Sequence, residues 1–550
     1  MLPPGVSAEE FAAATAAFKE AVGEAHVYTS PEDVALYQDA YDVLWGLPGQ
    51  RQVSAGVAPT SVEQVQKVVL AANRHRIPIY PISTGMDLGY GGSAPNLSGG
   101  VVLDLKLMNR IIEVDDKRHF AIVEPGVSYF DLYRHIQDRG LKVWIDCPDP
   151  DWGSPMGNSL DHGVGYTWGG YRDHFYSHCG MEVVLPNGEL IRTGMGALPN
   201  AKTWAEYHYG VGPYVDGLFA QSGFGVVTKM GFHLFPAPEA YRSATVFAPK
   251  RLDLIPLVEQ MNYLEHAGII AQPQYGSPMR AVVNQAAVQA VLNNPAGWTD
   301  SEIDELAAEH QLASWSCQIQ VFGSPETTLA NLNYAKQRLQ AAIPAATFKD
   351  GVFQRFPLTS EQKAQVPHKP SLGIPNLEAF RGRTPESPAP PDGHVWFSPV
   401  IPKNGESVLE AQRAFSDALR GVDLPTREGG NNPYTPFNAP STWMFRAFVF
   451  LSGWPASKSN PQQNKQVYDI ILKLIQVAAD HGWGEYRTPP AFQDAVVKAY
   501  SFNNHALLRY QQLLKDATDP NGILSAGRYG LWPKHMRQLD GLWPAYLAKT

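Results

Sequence analysis

The stretch Ser83-Thr-Gly-Met-Asp-Leu-Gly-Tyr-Gly-Gly92 comes directly after Ile77-Pro-Ile-Tyr-Pro-Ile82. The apolar run predicts a short buried strand. The glycines that follow let backbone N–H groups close around an anion, because no side chain keeps them away. One such loop alone is better explained as a tight turn that holds nothing. Its spacing is not G-x-G-x-x-G opening a helix, so a Rossmann dinucleotide site is not supported. Two further glycine sets lie close behind, Gly153-Ser-Pro-Met-Gly157-Asn158 and Gly163-Val-Gly165-Tyr166. Three loops of this kind so near one another favour one large phosphate-bearing cofactor over three unrelated turns.

Outward from these loops, helices are expected over Ala12 to Val22, Ser61 to His75 and Tyr129 to Arg139. The second of these has an apolar face of Val62, Val65, Val68, Val69, Leu70 and Ala72. Strands are expected at Gly100 to Asp104, Phe120 to Glu124, Met181 to Leu185, Glu189 to Thr193 and from Gly225. Pro186-Asn-Gly188 makes a turn between two of them. This describes an α+β domain over residues 1–238. The texture changes near Phe235-Pro-Ala-Pro-Glu239. Residues 239–482 read as a second α+β domain, with strand-like runs at Cys317 to Phe322 and Phe445 to Leu451. Pro-rich segments at Glu386 to Asp392 and Leu424 to Pro440 interrupt it. Residues 483–550 carry turn signals like those of the first domain and are expected to return to it, which makes the second an insertion.

The chain has 550 residues, more than one hydrophobic core usually serves. Its 44 % hydrophobic and 18 % charged shares fit a soluble globular protein. Lys+Arg is 44 against Asp+Glu 53, a net charge of −9, the wrong balance for a nucleic-acid partner. A nest of backbone dipoles is indifferent to that charge. No apolar run approaches a membrane span. The opening MLPPGVSAEEF has neither a basic nor an apolar signal region, so a cytoplasmic protein is expected. Cys147, Cys179 and Cys317 cannot all pair and form no CxxC, so neither a disulfide framework nor a thiolate zinc site is indicated. His174 and His178 have i,i+4 spacing on a possible helix. No Glu follows the first and no third ligand is evident, so they read as structural and no metal is expected. The 13 Trp, 24 Tyr and 23 Phe suit the lining of a small-molecule pocket.

Several motifs together resemble the vanillyl-alcohol oxidase / p-cresol methylhydroxylase flavoproteins, most of all the eugenol-oxidase branch. They are Ser-Thr-Gly-x-x-x-Gly-Tyr-Gly-Gly, Val123-Glu-Pro-Gly-Val127, Cys147-Pro-Asp-x-x-Trp-Gly-Ser154, Gly163-Val-Gly-Tyr-Thr167, Arg192-Thr-Gly-Met-Gly-Ala-Leu-Pro199 and Gly484-Glu-Tyr-Arg-Thr488. The likeness is strong over residues 55–235 and 482–533 and weak between about 240 and 385. It implies an α+β fold: a two-part FAD-binding domain of the p-cresol methylhydroxylase type with an inserted α+β substrate-binding cap. FAD would be held by Ser83, Thr84, Gly85, Met86, Asp87, Leu88 and Gly89, helped by Pro125, Pro148, Gly153, Ser154, Asn158, Gly163, Val164 and Val227. His394, in Gly393-His-Val-Trp-Phe-Ser-Pro399, stands at the family's site of covalent flavin attachment. A neutral imidazole suits that role, being nucleophilic at neutral pH without losing a proton. Arg528 would lie near the flavin N1/C2 carbonyl.

By the same resemblance, Tyr90, Tyr486 and Arg487 bind the phenolic oxygen of a substrate, Arg487 also bordering the flavin. Tyr166 and Ser398 are expected in the substrate pocket. The chemistry is consistent. A phenol titrates at about pH 10 and is neutral in neutral water. A cation roughly 4 Å away is worth roughly 4 kcal/mol at an effective dielectric of about 20, up to about three pKa units. Two tyrosine hydroxyls add hydrogen bonds that favour the anion. A phenolate pushes electrons toward its para side chain, so hydride can leave the benzylic carbon and give a p-quinone methide. Asp149 matches the family's acid near flavin N5. The family usually has Asp-Leu-Gly there, whereas this chain has Asp149-Pro-Asp151-Trp152, so Asp151 competes for the role.

The implied activity is an FAD-dependent oxidase of para-substituted phenols, meaning 4-hydroxybenzylic alcohols and 4-alkyl- or allylphenols, with O₂ reduced to H₂O₂. One alternative is a dehydrogenase or hydroxylase that passes electrons to a cytochrome. Another is a flavin-binding protein without catalysis, whose sign would be replaced phenol-binding residues; all three are present. The implied partners are a small phenol, O₂ and further copies of the chain, as a homodimer or higher oligomer. Two segments depart from the family, Gly429 to Met444 and the loop around Trp168-Gly-Gly-Tyr171. Both are expected to reshape the substrate cavity, so the particular phenol does not carry over.

Overall fold

Ser7 sets the first helix. Its hydroxyl accepts the Glu10 N–H while the Glu10 carboxylate accepts the Ser7 N–H, so the helix runs Ala8–Val22 and begins earlier than its apolar spacing suggests. The computed structural model describes residues 1–148, 151–377, 393–425, 435–442 and 444–537. Helix Val62–His75 is capped by Ser61 and buries Val62, Val65, Val68, Val69 and Ala72. Each such valine contributes about 1.5–3 kcal/mol when fully buried. Leu70, counted with that face in the sequence, is instead 47 % exposed and lies over the Gly188 turn.

These helices cover a four-stranded sheet in the order Val27–Tyr28, Ala55–Val57, Val101–Asp104, Ile79–Ile82. Its inner pairings are parallel and its first is antiparallel. The parallel strands read as unbroken apolar runs because both faces are covered. A second, antiparallel sheet has the order Ile111–Asp115, Phe120–Val123, Val226–His233, His178–Val184, Leu190–Arg192. Here the two histidines part from expectation. His178 opens a strand, and His174 lies in the loop before it, so they share no helix face.

The far end of the chain reaches the first sheet. The Ile79 N–H donates to Ile523 O at 2.7 Å and the Ser525 N–H to Ile79 O at 2.9 Å. Buried Lys515 secures that segment, donating to Asp519, Gly223 O and Leu524 O at 2.6, 2.6 and 2.8 Å.

Between them stands another antiparallel sheet, in the order Gln274–Gly276, Trp315–Gly323, Ala240–Ala248, Thr347–Arg355. Helix Pro325–Ala342 packs on it and on helix Leu254–His266, followed outward by Gly405–Leu419 and Pro461–Asp480. Two small sheets complete this region. Gly393–Phe397 pairs with Ser452–Ala456, and Pro399–Pro402 lies between Ala447–Val449 and Gly484–Glu485. The strand-like run Phe445 to Leu451 is thus cut to three residues. Among the described residues no helix is long and apolar enough to cross a membrane.

Candidate active site

Strand Ile79–Ile82 delivers the first glycine loop to the edge of a cavity of about 380 Å³, within the usual range for small-molecule sites. Gly85 and Gly89 have φ +71° and +83°, backbone that only glycine adopts cheaply. Opposite, Ser154 caps the short helix Pro155–Leu160 by accepting the Gly157 N–H at 2.9 Å. A side chain on Gly157 would collide with Ser83 Oγ, so the two loops approach only because that glycine is bare.

Ser83, Thr84, Gly85, Met86, Asp87, Leu88, Pro125, Pro148, Gly153, Ser154, Asn158, Val164, Val227, His394, Arg487 and Arg528 all line this one cavity, and so do Tyr90, Tyr166 and Tyr486. Three expected residues stand behind the wall. Gly89 passes under the Trp396 ring and His394 O, and Gly163 N donates to Asn158 O at 2.7 Å. Ser398 is fully buried. Asp149 lies outside the described residues. Its competitor Asp151 is fully buried and is not in the cavity wall; its carboxylate accepts the Asn376 N–H at 2.6 Å.

Two arginines and two carboxylates set the field. Asp161 pairs with Arg528 at 2.6 Å and lies 3.8 Å from Arg487, which is 3.4 Å from Asp87. Burial and neighbouring Asp161 push the Asp87 carboxyl up, and Arg487 opposes them. Arg528 also donates to Tyr80 Oη at 2.6 Å. The Arg487 guanidinium lies 3.9 Å from the Tyr90 ring centre, and its buried Nε–H donates to no acceptor among the described residues. Such an orphaned donor, at a cavity also lined by the first glycine loop, fits an anionic ligand with oxygen acceptors.

The Tyr90 and Tyr486 hydroxyls stand 3.5 Å apart, their rings edge to face. Burial raises both, so both stay protonated at neutral pH and can donate. Strand pairing brings them together: Gly484–Glu485 joins Pro399–Pro402 and sets the Tyr486 N–H against Ser398 O. Ser398 Oγ is 2.6 Å from Tyr90 Oη, and the Glu485 carboxyl accepts the Ser398 N–H with both oxygens at 3.1 Å. Burial pushes Glu485 well above the carboxylate range. His394 is 6 % exposed, with the Trp396 ring edge-on at 4.4 Å.

Asp146 shapes the remaining wall. It accepts from the N–H groups of Tyr166 and Thr167 at 3.1 and 2.8 Å and pairs with His174 at 3.0 Å. His174 in turn reaches Asn158 Oδ1 at 2.5 Å, while His178 pairs with Asp216 at 3.1 Å. The histidines therefore serve two separate hydrogen-bond sets. The His368 ring packs against Tyr166 at 4.6 Å.

Sequence reasoning missed Tyr80, Asp161, Gln221 and Trp396 as cavity-lining residues. Trp396 stood in a quoted motif without a role. Asp161 gave no signal, since its partners are more than 300 positions away. The two departing segments were expected to reshape the cavity. Neither Trp168–Tyr171 nor the described part of 429–444 lines it. Gly169 packs instead on the Phe445 ring, just past the end of the second segment.

A family model described as an FAD binding domain matches residues 53–194. The chain is 31 % identical over 538 residues to the 4-cresol dehydrogenase (hydroxylating) flavoprotein subunit of Pseudomonas putida, covering 96 % of this chain and 98 % of that one. It is 27 % identical to the 1'-carboxy-chondrochloren decarboxylase of Chondromyces crocatus, over 94 % and 98 % of the two chains. Among solved structures it resembles 4-ethylphenol oxidase from Gulosibacter chungangensis in its isoeugenol complex, with TM-score 0.80, 32 % identity and coverage of 98 % and 100 %. It also resembles p-cresol methylhydroxylase with substrate bound, with TM-score 0.80, 29 % identity and coverage of 96 % and 99 %.

Proposed function

The chain belongs to the family of the 4-cresol dehydrogenase flavoprotein subunit and is an FAD-linked oxidoreductase, and we propose that it oxidises para-substituted phenols, namely 4-hydroxybenzylic alcohols and 4-alkyl- or allylphenols. The observation that carries this reading is the meeting of the Tyr90 and Tyr486 hydroxyls, 3.5 Å apart, with the Arg487 guanidinium at one cavity. The similarity to two solved relatives, a 4-ethylphenol oxidase and a p-cresol methylhydroxylase, supports it.

When bound, the flavin supplies a hydride acceptor at N5. The glycine loops, Ser154, Asn158 and Arg528 would hold it, and His394 would attach it covalently. The protein's own part is to bind the phenolic oxygen and favour its anion. Tyr90 and Tyr486 donate to that oxygen, and Arg487 supplies positive charge. The gain is less than for a lone cation, because Asp87 and Asp161 stand 3.4 and 3.8 Å from the same guanidinium and offset part of its field. Once ionised, the phenol releases hydride from its benzylic carbon and becomes a p-quinone methide. Asp149 is our assigned proton acceptor for water attacking that species.

The reading takes 1–238 and 483–550 as one FAD-binding unit and 239–482 as its cap, supported by the pairing of residues 523–525 with Ile79. We take O₂ as the electron acceptor, giving H₂O₂. The relative named as a dehydrogenase subunit favours a second reading, in which electrons pass to another redox protein such as a cytochrome. A panel of para-substituted phenols, assayed under air for peroxide and in parallel for dye reduction, tests both. Peroxide matching substrate consumption is expected; dye reduction without peroxide selects the second reading, and no turnover of any phenol rejects both. Yellow colour retained in acid-precipitated protein is expected if His394 carries the flavin, and lost in His394→Ala.

A further inference from the structure

Ser398 was expected in the substrate pocket, but it stands one layer behind it. It is fully buried, its Oγ is 2.6 Å from Tyr90 Oη, and it is absent from the cavity wall. Its backbone is held from both sides. The N–H meets both Glu485 oxygens at 3.1 Å, and the carbonyl accepts the Tyr486 N–H at 3.5 Å. Among the described residues Tyr90 is the hydrogen-bond partner of Ser398 Oγ.

Those contacts fix which oxygen donates. If Tyr90 donated to Ser398, the Ser398 hydrogen would be buried with no acceptor, at the full desolvation cost. If Ser398 donates, both hydrogens find use. The Tyr90 hydrogen then points toward Tyr486 Oη, 3.5 Å away, a long contact into which a ligand oxygen can fit as the better acceptor. A hydroxyl that accepts one hydrogen bond is also a stronger donor of the next.

We propose that Ser398 is a positioning residue: it donates to Tyr90 Oη and so commits the Tyr90 proton to the oxygen of a bound phenol, with Glu485 holding Ser398 in register. This rests on the phenol reading above. The test is the ionisation of 4-fluorophenol, which has no para side chain and so no benzylic carbon to oxidise, bound to the flavin-loaded protein and followed by its fluorine chemical shift against pH. The natural protein should lower the midpoint of the bound probe below that of the free probe. Ser398→Ala should raise the bound midpoint by about one pH unit. Ser398→Thr, which keeps the hydroxyl, should restore it. In a Tyr90→Phe background, Ser398→Ala should shift nothing further. That cycle decides the matter even if the threonine variant fails to fold.

An unchanged midpoint in Ser398→Ala overturns the assignment while leaving the phenol reading intact. An equal shift in the Tyr90→Phe background also overturns it, since Ser398 would then act through packing. If the natural protein leaves the probe's midpoint at its free value, the phenolate reading itself falls and takes this proposal with it.

Discussion

Arg487 carries opposing demands within one side chain. Its guanidinium covers the Tyr90 ring at 3.9 Å and faces Asp87 at 3.4 Å. Removing it takes away the cation that favours a phenolate and leaves two carboxylates near the same place. Arg487→Ala should lower kcat/KM for a good phenol by about 10²–10³, the usual loss when one charge-stabilising donor is removed. The visible flavin spectrum should persist, because Arg528 and the glycine loops remain; undiminished turnover would refute the role. Asp39 behaves differently. Burial and neighbouring Asp42 raise its carboxyl to about 7. An acid raised on folding binds its proton more tightly in the folded state, so stability falls as pH rises from about 4 to 7. Asp39→Asn keeps an acceptor for the Tyr41 N–H, 2.9 Å away in the natural protein, and cannot ionise. Its melting temperature should match the natural protein's at pH 4 and exceed it at pH 8, where the difference in unfolding free energy approaches about 4 kcal/mol. Equal melting temperatures at both values would sink the assignment. Tyr90, Tyr486 and Arg487 were legible in the sequence because each sat in a motif. Asp161 and Gln221 were not, because their roles come from partners remote in the chain.

Whole elements were read well where burial imposes a pattern. Helix Val62–His75 and the parallel strands Ile79–Ile82 and Val101–Asp104 stood out as apolar spacing and apolar runs, whereas Ala55–Val57, only three residues long, did not. Strand Ile111–Asp115 was missed because it is a half-exposed edge, with Ile112 44 % exposed, and its sequence shows no clean alternation. The possible helix through His174 and His178 failed because spacing alone cannot tell a loop followed by a strand from one helical turn. The glycine loops have a sharper consequence. Any side chain on Gly157 must displace Ser83 Oγ, and overpacking of this kind costs about 1–3 kcal/mol. Gly157→Ala should therefore melt at a lower temperature than the natural protein and retain less flavin per chain at limiting FAD. Absorbance ratios after gel filtration would show it; an unchanged ratio would remove Gly157 from the cradle.

Across the molecule, a buried ion cluster joins residues more than 200 positions apart in the chain. Glu265 of helix Leu254–His266 meets Arg172 and Lys403 at 2.5 Å each, and all three side chains are at most 3 % exposed. Both cations also face the Phe445 ring. Glu265→Ala leaves two buried cations without their counter-charge and should cost about 3–5 kcal/mol of unfolding free energy, measured by denaturant titration. A loss under 1 kcal/mol would show that water already screens the cluster. None of this was visible beforehand, since Arg172 and Lys403 sit in segments without any motif. The sequence by itself determined the α+β class and the glycine loops, because local backbone freedom and apolar periodicity are written position by position; the residues expected to bind a phenolic oxygen came from the resemblance of whole motifs to a family. Only the tertiary structure decided that Ser398 supports Tyr90 from behind, that Asp151 turns to Asn376, and that Asp87 and Asp161 temper Arg487. Those facts depend on distances between residues far apart in the chain, and folding alone sets such distances.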